Sequence, residues 1–139
     1  MGCKLLARFE RSSIPRTEWT HRAHVQIAYL HVKNYSYAVA LDKLRSGIKS
    51  LNAANGVEEG PRSGYHETIT VAFLRIVEST FHAYDVAYPP SSEEFCDRHP
   101  ELMCSKLFRL FYSPIALADP RAKAEFVEPD LARLPDLPR

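Results

Sequence analysis

The sequence predicts an all-α protein: a helical bundle of about four main helices, with short extra helices and a proline-rich C-terminal wrap. Apolar residues recur at helical spacing through three long stretches. Capping and helix-breaking residues punctuate those stretches where helices should start and stop. Most of the ten prolines fall after residue 88, where the elements become short. At 139 residues the chain reads as a single domain over 1–139, with 1–17 as an irregular lead-in and 127–139 as an extended tail.

Thr17 is a good N-cap for a first long helix over about 18–33. On a wheel of ~100° per residue, Glu18, Arg22, Gln26, Tyr29 and Lys33 form one narrow polar stripe. The remaining wide arc is apolar, with His24 and His31 near its middle and His21 nearer its edge. An arc that wide implies a central helix or a surface shared in a homodimer. A second helix over 37–54 ends at Asn55-Gly56, a favourable C-cap pair. Gly56 to Gly64 forms the clearest loop, and a third helix over 65–84 turns His66, Ile69, Phe73, Ile76, Val77 and Phe81 to one apolar face. Its opposite stripe places Glu78 and His82 in solvent as a surface pair.

Ser91 and Glu94 spell a capping box for a short helix ending near Arg98. A fourth helix is expected over 101–112. Ser113-Pro114 and Asp119-Pro120 each pair an N-cap with proline at the first helical position, giving two more short helices.

Composition narrows the function classes. A hydrophobic fraction of 45% and a charged fraction of 25% are ordinary for a globular chain. A net charge of +1 gives no field for nucleic acid or a membrane surface, and no apolar run is long enough to span a bilayer. The N-terminus lacks a signal-peptide core, and Leu6 stands where a myristoylation pattern needs Ser or Thr. Cys3, Cys96 and Cys104 make no CxxC pair and are expected as reduced thiols in a cytoplasmic protein.

Four of the six histidines lie in 19–31 and 64–68. His21 and His24 are three apart, so both can converge on one ion, and His66 from a facing helix would add a third ligand. With His31 as a further candidate, that is an open site suited to zinc, iron or copper. Glu67 would be a ligand or general base, and Asn52 or Tyr65 would orient a small-molecule substrate. The alternative is structural: core histidines bonded to one another and to backbone carbonyls, with Glu67 capping its helix. Glu18 and His21 spell the ExxH unit of di-iron bundles, but a second copy is missing. His99 precedes a proline and reads as a surface or capping residue. There is no GxSxG, phosphate loop or dinucleotide fingerprint, so no nucleotide cofactor is expected.

Trp19-Thr20-His21-Arg22-Ala23-His24 and Gly64-Tyr65-His66-Glu67-Thr68-Ile69-Thr70 resemble a family of small, uncharacterised helical proteins. Its signature is W-[ST]-H-x-A-H followed by G-Y-H-E-T-x-T, and Phe126 to Leu131 also resembles its C-terminal end. That resemblance implies a helical fold and no particular activity. A fold-level likeness to metal-binding four-helix bundles of the DinB type lacks their second, HxxxH histidine pair. Two functions follow as expectations. One is a small metal-dependent enzyme acting on a small molecule through an inward-facing histidine cluster. The other is a non-catalytic helical binding or protein-interaction module.

Overall fold

The computed structural model describes residues 2–137, with side chains from Lys4 onward. Apart from one bridge pair at Gly60 and Ser63, every regular element among the described residues is helical. The helices are α1 (Gly2–Glu10), α2 (His21–Asn34), α3 (Tyr37–Ala54), α4 (Glu67–Tyr84), α5 (Ser92–Arg98), α6 (Pro114–Ala118) and α7 (Pro120–Ala124). Short 3₁₀ turns stand at Arg16–Glu18, Pro100–Met103 and Leu107–Leu110. The all-α expectation is borne out.

Helix α2 is the axis. Thr20 caps it, its hydroxyl accepting from the Ala23 amide at 3.2 Å. Eight of its residues are buried, from Ala23 to Val32. The wide apolar arc is covered within one chain: α3, α4 and α5 pack on it and α1 closes another side. Helix α5 docks on part of the polar stripe, while Arg22 and Lys33 stay exposed. Arg22 pairs with Asp97 at 3.1 Å, and Gln26 donates to Ser92 Oγ at 3.3 Å. Tyr29, expected on that stripe, is fully buried, stacked on Phe95 at 4.2 Å with its hydroxyl donating to the Pro90 carbonyl at 2.7 Å.

Three expectations are corrected. The lead-in is not irregular throughout, since residues 2–10 form α1. A nine-residue helix is marginal alone and is held here by Phe9, 2% exposed, seated against Gly47 of α3, where a Cβ would come within 2.2 Å of the ring. The expected helix over 101–112 is two 3₁₀ turns instead. The Leu102 carbonyl, which an α-helix would engage four residues on, accepts from His21 Nε2 at 2.8 Å. Glu78, expected in solvent, is buried, and so is Thr68 on the side of α4 that the C-terminal segment covers. There Thr68 Oγ1 donates to the Glu125 carbonyl at 2.9 Å and accepts from the Val127 amide at 3.1 Å.

After α7 the described residues form no regular element, and they are tied down by Tyr112 donating to the Val127 carbonyl at 2.7 Å and by Leu134 in the core. Cys96 is buried, Cys104 is exposed, and Cys3 lies outside the described side chains. No helix among the described residues is long and apolar enough to cross a membrane.

Candidate functional site

A cavity of about 350 Å³ opens where the start of α2 faces α3 and α4. Its walls are largely apolar: Trp19, Leu44, Ile48, Ile69, Phe73 and Phe108. Small side chains at Ala28 and Thr70 leave the space, and Ser105 stands at the exposed side. Among the described residues lining it, the only titratable groups are His21 and His24.

Each of these imidazoles gives one nitrogen to a backbone carbonyl. His24 Nδ1 donates to the Thr20 carbonyl at 2.8 Å, one turn back on its own helix. His21 Nε2 donates to the Leu102 carbonyl at 2.8 Å. A carbonyl can only accept, so the proton sits on the nitrogen named. In the neutral ring, His24 Nε2 and His21 Nδ1 are then acceptors. Burial holds the His24 pKa below its ordinary 6.5, and neighbouring His21 pushes it the same way, so the neutral form prevails at neutral pH. Trp19 packs over the His24 ring at 3.9 Å between centroids and stacks on Phe9 at 5.6 Å.

The structure brings together only part of the expected set. His21 and His24 share the cavity, but His66 is not among its lining residues. His66 is the N-cap of α4 rather than a first-turn residue: its Nδ1 accepts from the Ile69 amide at 3.1 Å and its Nε2 donates to the Leu117 carbonyl at 3.0 Å. Both nitrogens are engaged, so no lone pair is left for a ligand. His31 lines a different groove, between α1 and α3. Among the described residues no three His, Cys, Asp or Glu side chains gather as a metal ion requires.

Glu67 is also held elsewhere. Its carboxylate takes Arg45 Nε at 2.9 Å and Nη2 at 2.6 Å, and the Tyr65 hydroxyl at 2.6 Å. That fork depresses the Glu67 pKa, the Arg45 hydrogen bonds weighing most, and burial raises the Tyr65 pKa. Tyr65 and Glu67 line a separate cleft with Lys49 and Lys123. Asn52 does not line the histidine cavity. None of the three expected catalytic residues therefore faces His24.

A second titratable cluster was not legible in the sequence. Asp85, 3% exposed, closes the end of α4. It accepts from His99 Nε2 at 2.6 Å and Arg98 Nη1 at 2.9 Å. His99, expected as a surface or capping residue, caps the end of α5 and is buried there, its ring tilted against Phe95 at 4.7 Å between centroids. Pro100–Met103 follows directly, and its Leu102 carbonyl fixes His21.

Because Trp19 is the only tryptophan, it reports on His24 directly. Imidazolium quenches indole emission, so fluorescence should fall on acidification with a midpoint below 6.5, and His24→Gln should remove that step. The same linkage applies to stability. The folded-state pKa of His24 and of His31 is depressed by burial, so the unfolded chain binds more protons. Their contribution is complete above about 6.5 and is lost as pH falls through the folded values, so the urea midpoint should drop between neutral pH and pH about 5.

Comparison with protein-family models, with curated proteins and with solved structures finds no significant match.

Proposed function

We propose that the protein is a binding module for a small, neutral, mainly apolar molecule that carries one hydroxyl or N–H group. One observation carries this reading: an apolar cavity of about 350 Å³ whose polar feature is a pair of imidazoles, each with one nitrogen bonded to a carbonyl. Apolar walls with a few placed polar groups are the usual form of a small-molecule site. With water counted at about 30 Å³ each, the space suits a ligand of roughly a dozen heavy atoms. A neutral imidazole acceptor calls for a donor, and no cation among the described residues lines the cavity to hold a carboxylate. Aromatic walls at Trp19, Phe73 and Phe108 favour a planar body such as a phenol or an indole.

This reading belongs to the second of the two classes expected from sequence. A metal-dependent enzyme would need a third ligand beside His21 and His24, and His66 has both nitrogens engaged.

Titration of Trp19 fluorescence with phenol, indole, toluene and benzoate tests the proposal. Phenol and indole should give saturable changes, with toluene weaker by up to about tenfold for want of a donor. Benzoate should not bind. Equal affinity for phenol and toluene, tighter binding of benzoate, or no saturable change with any probe would overturn it. Zinc should leave the melting temperature unchanged, and a rise that His24→Ala abolishes would favour the metal reading instead.

A further inference from the structure

One wall of the histidine cavity does not belong to a long helix. Apart from Trp19, which packs on His24 and Phe9, the other lining residues stand on α2, α3 and α4. Ser105 and Phe108 come from the segment between α5 and α6. Apolar Leu102, Leu107, Leu110 and Phe111 suit an α-helix there, in which the Leu102 carbonyl would accept from the Lys106 amide. His21 Nε2 takes that carbonyl instead, at 2.8 Å. Shorter-range bonds follow: the Leu107 amide to the Cys104 carbonyl at 3.1 Å, Arg109 to Lys106 at 3.0 Å and Phe111 to Phe108 at 3.0 Å. Bonds of this 3₁₀ type are poorer than those of an α-helix, and such a stretch in a helical sequence often marks a hinge.

The segment is tied at its two ends. His21 holds Leu102 to α2. At the other end the Phe111 carbonyl accepts from the Leu131 amide at 2.9 Å, and the Tyr112 hydroxyl donates to the Val127 carbonyl at 2.7 Å. Among the described residues, no hydrogen bond or ion pair joins 103–110 to another element. Packing holds the middle: Phe108, 8% exposed, lies against Phe73 at 5.8 Å between centroids, with Met103 and Leu107 half-buried. Cys104, Ser105 and Lys106 at the tip are exposed. A segment with an exposed tip and no lateral bonds opens at less cost than the helices around it.

The cavity is not sealed as it stands, since its apolar lining residues Trp19, Ile48 and Ile69 are only half-buried. An apolar ligand gains from being covered, and a wall that can yield and return supplies both entry and cover. We propose that residues 103–110 form a strap on the histidine cavity, hinged at Leu102 and Phe111, which swings out to admit the ligand and settles back over it. The strap's role rests on the binding function proposed above.

The test is native-state hydrogen exchange of the full chain, free and with saturating phenol, followed by NMR. In the free protein the amides of Leu107, Arg109 and Phe111 should exchange at least about a hundredfold faster than those at the centre of α4, because local opening costs less than global unfolding. Phenol should slow them by about tenfold or more while the ends of α3 are unchanged, as cover by the strap requires. Lys106→Gly, at an exposed position outside the cavity lining, loosens the strap. It should speed phenol association and dissociation together by about two- to fivefold, with affinity changed less than about twofold. Strap amides no faster than those of α4 would overturn the strap and leave the ligand proposal standing. So would saturable phenol binding that leaves strap exchange and the Lys106→Gly rates unchanged. No saturable binding with any probe would overturn the ligand proposal, and the strap's role with it.

Discussion

Ala28→Leu should abolish ligand binding in the histidine cavity and raise the melting temperature in the same protein. Ala28 is 1% exposed and lines the cavity opposite Leu44 and Ile48. Leucine adds three carbons to a site that already has room for them. At about 0.8 kcal/mol per buried methylene the gain is up to roughly 2 kcal/mol, less whatever repacking is needed. The same carbons occupy the space of the ligand body, so affinity for phenol should fall by at least about tenfold, or 1.4 kcal/mol. Thermal melts and Trp19 titrations of one sample read both effects. A loss of about 1–3 kcal/mol with binding intact would mean that the side chain drives into packed core instead.

Asp85→Ala should destabilise the protein by roughly 3 kcal/mol, a large share of the 5–15 kcal/mol typical of a domain. The substitution leaves His99, 6% exposed, without the carboxylate that holds its Nε2, and frees Arg98 at the same time. Asp85→Asn retains one acceptor oxygen and should lose distinctly less. The effect should also reach the cavity. Asp85 anchors His99, His99 begins the Pro100–Met103 turn, and the Leu102 carbonyl of that turn fixes His21. Phenol affinity should therefore fall in Asp85→Ala under conditions where the protein is still folded, a readout that denaturant melts combined with ligand titration would supply.

Much of the fold was legible because it is written in local chemistry. The bounds of α3 coincide with the expected 37–54, set by the Ser36 cap and the Asn55-Gly56 end, where Gly56 takes a φ of 69°. The Ser91 capping box and the two proline-opened helices α6 and α7 are likewise where their residues indicate. What escaped was settled by neighbours. A helical wheel ranks faces within one helix, but it cannot say that α5 docks on the polar side of α2 and buries Tyr29, or that Glu78 is buried beside His82. The short helix α1 has apolar Leu5, Leu6 and Phe9 at helical spacing, yet its stability comes from Phe9 against Gly47, a contact distant in sequence.

The site followed the same division. His21 and His24 do share an inward cavity, as their spacing on one helix implies. His66 was placed wrongly because α4 begins at Glu67, two residues later than Tyr65. His66 thereby leaves the helical register, and as the N-cap its ring folds back on the Ile69 amide rather than projecting toward α2. Glu67 has the polar helix-start position expected of it, but its partner Arg45 comes from α3, a pairing that no local pattern records.

The central claim is that His24 stands in an apolar cavity as a neutral imidazole with its proton on Nδ1 and its lone pair on Nε2. A long-range ¹H–¹⁵N spectrum of the histidine side chains at neutral pH, recorded with and without phenol, tests it most directly. The account predicts an unprotonated Nε2 for His24 that moves upfield as phenol donates to it, while both His66 nitrogens stay unmoved. A His24 ring protonated on both nitrogens, or an Nε2 resonance indifferent to saturating phenol, would contradict it.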